Sequence, residues 1–271
     1  LGLGSNFKEE DYDMESLEVM HHIKLEPGDV GRYVLLPGDP GRCELIAEHF
    51  EEAEKVAQNR EYTTFSGMLL GEKVSVTSTG IGGPSAAIAV EELSEIGADT
   101  FIRVGTSGGM QPHVEAGDLV IVTAAVREEG TTQLYVPIAY PAVADIDVAW
   151  ALRMAARELG LAHHTGICRS TDSFYGSKSP ETMPSRYELE NRWNAWISSG
   201  VLCSEMEAAT VLTVSRIRGK RAGCIALVNS NKGLPPLEPE ELARRRNLDP
   251  LIRTAVGALK ILIAQDRGAS A

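Results

Sequence analysis

The sequence predicts an α/β fold built as one domain, on three observations. Short apolar runs of strand length alternate with segments of helical spacing. The runs end in loops rich in glycine and proline, as buried strands do when they emerge at the edge of a sheet. No internal repeat and no linker-like shift in composition divides the 271 residues, and 43% hydrophobic content suffices for a substantial core.

Residues 1–20 are acidic and without period, which predicts a flexible arm ahead of a domain over residues 21–268. The first strand is expected at 33–36, broken by Pro37-Gly38-Asp39-Pro40, and a helix at 42–50. A strand at 73–78 leads into Thr79-Gly80-Ile81-Gly82-Gly83-Pro84, then a helix at 85–96 and a strand at 100–104 that stops at Gly105-Thr106-Ser107-Gly108-Gly109. Further on, strands are expected at 118–125, 165–170 and 223–228, and helices at 148–159, 205–217 and 251–265. A loop is expected around Phe174, and residues 232–247, rich in proline and charge, read as a surface loop or lid.

Composition narrows the function. A net charge of -12 argues against nucleic acid or anionic membrane as partner, because both demand a basic footprint. No run approaches the ~18 apolar residues of a membrane span, and the first twenty residues carry acids where a signal peptide carries bases, so a cytoplasmic protein is expected. Cys43, Cys168, Cys203 and Cys224 are too widely spaced for a zinc site or a disulfide framework and read as buried free thiols. Phosphate-loop, GxGxxG, GxSxG and HExxH patterns are absent, and His113, His163 and His164 read as surface residues.

Three arginines and one acidic segment carry the candidate chemistry. Arg42 follows the first strand's loop, Arg60 lies in Asn59-Arg60-Glu61, and Arg103 sits inside the apolar strand Phe101-Ile102-Arg103-Val104. An arginine there is costly to bury unless a carboxylate or an anion meets it, and both readings stand. A planar bidentate guanidinium suits tetrahedral oxyanions, and glycine-rich loops add N–H donors. The acidity of the whole chain is no obstacle. A charge pair at about 4 Å is worth about 4 kcal/mol near a protein surface, whereas charges beyond about 8 Å are largely screened. In Glu205-Met206-Glu207 the acids would complement the start of a helix; alternatively, a carboxylate there could accept both hydroxyls of a ribose while the thioether lies against the sugar. Glycosidic cleavage through an oxocarbenium-like ribose then needs only an adjacent anion.

Taken in order, Pro37-Gly38-Asp39-Pro40-Gly41-Arg42, Asn59-Arg60-Glu61-Tyr62-Thr63-Thr64, Ser78-Thr79-Gly80-Ile81-Gly82-Gly83-Pro84-Ser85, Arg103-Val104-Gly105-Thr106-Ser107-Gly108, Asp172-Ser173-Phe174-Tyr175 and Glu205-Met206-Glu207 resemble the nucleoside phosphorylases of the trimer-or-hexamer type, closest to their uridine phosphorylase branch. The resemblance runs from about His22 to the final helix. It implies a central mixed β-sheet flanked by helices and the phosphorolysis of a nucleoside, a pyrimidine nucleoside preferred, to ribose 1-phosphate and free base. It further implies a phosphate site of Gly38, Arg42, Arg103 and Thr106, completed by Arg60 from a neighbouring chain, so that a dimer is the minimal unit and a hexamer the expected assembly. Glu205, Met206 and Glu207 match the ribose contacts, and His22, or His21 beside it, the histidine that reaches a neighbour's ribose. Phe174, Ser107 and Gly108 match the base pocket; Arg103 and Glu207 become the catalytic pair. No metal or organic cofactor is implied beyond phosphate as co-substrate, although Glu61, Ile81 and Ser85 resemble positions that hold a monovalent cation at the dimer interface in some members.

The departures concern the base. Where uridine phosphorylases place a glutamine and often an arginine, this chain has Gly176-Ser177-Lys178-Ser179-Pro180, and Ser230 follows Val228-Asn229 where a basic residue is expected. A hydroxyl or an ammonium replaces an amide that presents donor and acceptor together. A purine or modified nucleoside, and a non-catalytic nucleoside-binding protein, therefore stand as alternatives.

Overall fold

The computed structural model describes residues 19–269, so the arm expected over residues 1–20 lies outside them except for Val19 and the buried Met20. In chain order the elements are β1 Tyr33–Pro37, α1 Gly41–Ala47, β2 Glu51–Asn59, β3 Tyr62–Leu69, β4 Glu72–Thr77, α2 Gly83–Glu95, β5 Thr100–Gly109, β6 Leu119–Glu128, β7 Ala142–Val143, α3 Ile146–Glu158, β8 His163–Thr171, α4 Phe174–Lys178, α5 Arg186–Ser198, β9 Cys203–Glu205, α6 Ala208–Ile217, β10 Arg221–Asn231, α7 Pro239–Arg245 and α8 Asp249–Ala269.

One mixed sheet contains all the strands among the described residues. β10 runs parallel to β5 along its whole length. The opposite edge of β5 is shared: β1 pairs in parallel with Thr100 to Val104, and β9 pairs antiparallel with Gly108 and Gly109. Between them Gly105, Thr106 and Ser107 have no strand on that edge, so the sheet parts there. From β10 the pairing continues through β6 and β8 to β9 and returns to β5, closing a circuit, while β4, β3 and β2 extend the sheet beyond β1. A ligand meeting the sheet where strand neighbours diverge finds strand ends and loop amides together.

Side-chain alternation explains the layering. In β1, Val34 and Leu36 face a core shared with α2 and α6, whereas Tyr33 and Leu35 face one shared with α1, α3 and α8. Each fully buried aliphatic side chain contributes about 1.5 to 3 kcal/mol. The result is the single α/β domain with a mixed sheet flanked by helices that the sequence led us to expect. No helix among the described residues is long and apolar enough to cross a membrane; α8 is amphipathic.

Several expected boundaries move. β2 and β3 carry no readable apolar period, because β2 is an exposed, charged edge strand and the buried positions of β3 include Thr63, Thr64 and Ser66. β5 continues through the glycines expected to end it. The helix expected at 205 starts at Ala208, since Glu205 still belongs to β9. α4 occupies the region read as a loop around Phe174, α5 lies in a stretch where no element was expected, and α7 lies inside the 232–247 segment. α5 buries none of its residues, and its polar surface hides the helical signal.

Candidate active site

A cavity of about 1040 Å³ opens where the sheet parts. Gly38, Arg42, Arg103, Thr106, Ser107, Gly108, Phe174, Ser177, Lys178, Glu205, Met206 and Glu207, all singled out from the sequence, line it. Arg60 and His22 do not.

Arg103 is the centre of the deep end. It is 4% exposed on β5, and its Nε donates to Glu205 Oε2 at 2.8 Å while Nη2 pairs with Glu207 Oε2. Its Nη1 is buried without a partner, as is Nε of Arg42 on α1. The guanidinium folds back along its own strand, because an added Cβ on Gly105 would stand 2.9 Å from Arg103 Nη2. Glycine at 105 therefore makes room for the charge. Glu205 is saturated: its Oε2 also accepts from the backbone N–H groups of Glu207 and Ala208 at 2.8 and 2.9 Å, and its Oε1 accepts from Ser170 Oγ. Glu207 Oε1 accepts from Gly82 N–H at 2.6 Å, which ties the carboxylate to the loop before α2. Gly80 in that loop has φ +68°, and a Cβ there would meet Glu61 Cγ at 2.7 Å.

The electrostatics follow from burial. Desolvation opposes the charge of Arg103, but Glu207 and Glu205 overcome it and hold its pKa above the ordinary arginine value. Burial lowers the pKa of Arg42; Asp39 counters this and the neighbouring Arg103 adds to it. Burial likewise raises the pKa of Glu207 against the pull of Arg103, with Glu205 adding to the rise. The deep end thus holds two cations whose unused N–H groups have no acceptor, which is the requirement for binding an oxyanion.

The other end is aromatic and hydroxylated. Phe174, 54% exposed, meets Tyr175 edge to face at 5.4 Å, and Lys178 Nζ lies 5.6 Å from the centre of its ring. Among the residues of this end that were not singled out from the sequence are Thr171 and Ser204, Trp193 on α5 and Lys232, with Arg169 on β8 behind the two hydroxyls. Arg169 stands in Cys168-Arg169-Ser170-Thr171, where the polar residues that follow it hide the signal that selected Arg103. Ser230 does lack a basic character, but β10 shifts register between Val228 and Ser230 and runs on to Asn231, and Lys232 just beyond it lines the cavity. Its Nζ donates to the carbonyl oxygens of Ser177 and Lys178 and lies 5.6 Å from the Trp193 ring. Burial lowers its pKa. Trp193 gave no readable signal within a polar helix.

Arg60 is exposed at the β2–β3 turn with φ +53° and does not line the cavity of its own chain. His22 is fixed by Glu92, which accepts from the His22 and Ile23 N–H groups at 2.9 and 2.8 Å and contacts the imidazole Nδ1 at 2.5 Å. Glu61 accepts from Ser85 Oγ at 2.9 Å, and Ile81 is exposed at the cavity mouth. Among the described residues no group of three His, Cys, Asp or Glu side chains could hold a metal ion. All four cysteines are buried free thiols, and His164 Nε2 contacts Asp118 Oδ2 at 2.8 Å, away from the cavity.

The raised pKa of Glu207 has a measurable consequence for stability. A carboxyl whose folded pKa exceeds its unfolded value stabilises most below the unfolded carboxylate range, and that contribution is lost as pH rises through the folded pKa. Glu207→Gln removes the loss. The melting temperature of the variant relative to the parent should therefore rise as pH increases from the ordinary carboxylate range through the raised pKa of Glu207; a difference that stays constant or falls as pH increases would contradict a desolvated Glu207.

Comparison with known proteins agrees with this architecture. The sequence profile of the Phosphorylase superfamily matches residues 32–254. The uridine phosphorylase of Treponema pallidum (strain Nichols) is 48% identical over 93% of this chain and 97% of its own. The uridine phosphorylase of Thermococcus kodakarensis is 50% identical over 79% of this chain and 78% of its own, and the guanosine phosphorylase of Halorubrum lacusprofundi is 40% identical over 89% and 98%. The chain, whose cavity is lined by Arg42 and Arg103 with a partnerless donor on each, belongs to the phosphorylase superfamily.

Proposed function

We propose that the enzyme is a pentosyltransferase that uses inorganic phosphate to cleave a nucleoside, uridine or a related pyrimidine nucleoside preferred, to ribose 1-phosphate and free base. The reading is carried by the pair of buried, partnerless donors, Arg103 Nη1 and Arg42 Nε, at one end of a cavity large enough for a nucleoside and an anion. A protein that only binds nucleosides has no use for them. The names of the uridine phosphorylase relatives support the substrate.

Phosphate bound by Arg42, Arg103, Thr106 and the Gly38 loop would lie beside the ribose. Glu207 would accept the ribose hydroxyls, with Met206 against the sugar. As the bond from C1′ to the base nitrogen breaks, its electron pair leaves with the base and positive charge develops on the ribose. The phosphate anion stabilises that charge and then forms the new C1′–O bond. Glu205 holds Arg103 and the turn at Glu207 in place. Phe174 would pack against the base, with Ser107 and Gly108 as the opposing wall and Ser177 and Lys178 near its edge. Arg60 and His22 would act on the site of a second copy, making a dimer the minimal unit within a hexamer. No metal or organic cofactor enters this scheme, although a monovalent cation held near Glu61, Ile81 and Ser85 is compatible with it. Four free thiols suit a reducing cytoplasm. A purine nucleoside is the second reading, favoured by the guanosine phosphorylase relative.

Incubating the protein with uridine, inosine and adenosine, with and without phosphate, tests the activity. Base release that requires phosphate is expected, with uridine the best of the three; release without phosphate, or none, would refute it. Arg103→Ala should lower efficiency with respect to phosphate by about tenfold or more, since a charge-assisted hydrogen bond of about 1.5 to 3 kcal/mol is lost. Unchanged phosphate kinetics in the folded variant would remove Arg103 from the site.

Sharing of the site is tested by mixing chains. Inactive Arg60→Ala and inactive Glu207→Ala proteins should regain activity when they exchange subunits, because one interface then carries both native residues. Mixed dimers that form and stay inactive would show that the two residues do not meet across subunits.

A further inference from the structure

The missing amide at the base end raises the question of what reads the base. Among the hydroxyls that line the cavity are those of Thr171 on β8, Ser177 on α4 and Ser204 on β9. All three accept from one side chain behind them. Arg169 Nη1 donates to Ser177 Oγ at 2.9 Å and to Ser204 Oγ at 3.2 Å, and Nη2 donates to Thr171 Oγ1 at 3.3 Å. The arrangement is built by the sheet. Arg169 is in register with Ser204 across β8 and β9, Thr171 is two residues along the same face, and Glu128 on β6 is in register with Thr171. Arg169 is 5% exposed, its Nε pairs with Glu128, and its guanidinium carbon lies 5.7 Å from the Trp193 ring.

The cations of this wall are Arg169, behind the hydroxyls, and Lys178 and Lys232, which line the cavity. Glu128 pairs with Arg169 and also meets Arg192 Nη1 at 3.3 Å, while Arg192 Nη2 pairs with Glu188. A hydroxyl that accepts from a guanidinium keeps its proton for an outside acceptor, and the cation behind it strengthens that donor. The same field opposes the hydrogens of an exocyclic amine. Uracil presents two carbonyl oxygens on this edge, whereas cytosine replaces one with an amine; hypoxanthine and adenine differ in the same way.

Resting on the nucleoside reading above, we infer that Arg169 is a positioning residue for base specificity, turning Thr171, Ser177 and Ser204 into a donor array selective for bases with carbonyl oxygens on that edge over those with an exocyclic amine. It acts through the hydroxyls and does not touch phosphate or ribose.

Binding of uridine, cytidine, inosine and adenosine in the absence of phosphate, by calorimetry, tests this independently of turnover. The parent protein should bind uridine over cytidine and inosine over adenosine. Arg169→Met combined with Glu128→Gln, which leaves no unpaired buried carboxylate, should reduce both ratios by about tenfold, and Arg169→Lys should keep part of them. A merely structural role would weaken all four nucleosides alike. Ser204→Ala and Thr171→Val, each a small change in a folded protein, should each lower the ratios if the double variant does not fold. Equal binding of uridine and cytidine by the parent, or ratios unchanged in these variants, would overturn the inference. Failure of phosphate-dependent base release in the parent would instead count against the proposed activity and leave the binding ratios to be judged by themselves.

Discussion

The buried contact of Arg103 with Glu205 and Glu207 is the constraint on which the rest of the molecule depends. Isolated, each of these charges would be expelled from the interior; removing one partner of such a group typically costs about 3 to 5 kcal/mol. The contact joins β5, the end of β9 and the turn before α6, while Gly82 brings the loop before α2 to the same carboxylate. Two carboxylates around one guanidinium would leave a net negative charge, and Arg42 beside them restores the balance. Both arginines keep a donor that no protein atom satisfies. The fold thus holds cations at a strand break without exhausting their hydrogen-bonding capacity.

Much of this deep end could be read from residue types alone. An arginine inside Phe101-Ile102-Arg103-Val104 demands a buried acceptor, and the glycines around it announce close approach of backbone and side chain, as Gly105 and Gly80 both display. The roles assigned to those residues came from family resemblance and not from their spacing. What could not be read is equally physical. β2 and β3 lack an apolar period because one lies exposed at an edge and the other buries threonine and serine. α5 is polar around its whole surface, and so Trp193 was invisible as a cavity residue. Arg60 and His22 line no part of the cavity of their own chain, so the geometry of one chain gives them no role there.

The aromatic, hydroxylated end of the cavity follows a different logic from the deep end. There the expected amide is absent, yet Arg169 supports three hydroxyls and Lys232 fastens the α4 segment through the carbonyl groups of Ser177 and Lys178. Both lysine and arginine come from positions that a fixed motif overlooks: one follows a register shift in β10, the other hides between a cysteine and a serine in β8. Relatives of comparable identity carry the names of a uridine and a guanosine phosphorylase.

The central claim is that the partnerless N–H groups of Arg103 and Arg42 form one anion site. A crystal structure of the protein soaked in inorganic phosphate, without nucleoside, tests it most directly. Phosphate should occupy the cavity with oxygens within hydrogen-bonding distance of Arg103 Nη1 and Arg42 Nε. A cavity free of phosphate at concentrations where other sites on the protein fill, or phosphate bound out of reach of both guanidinium groups, would contradict the account.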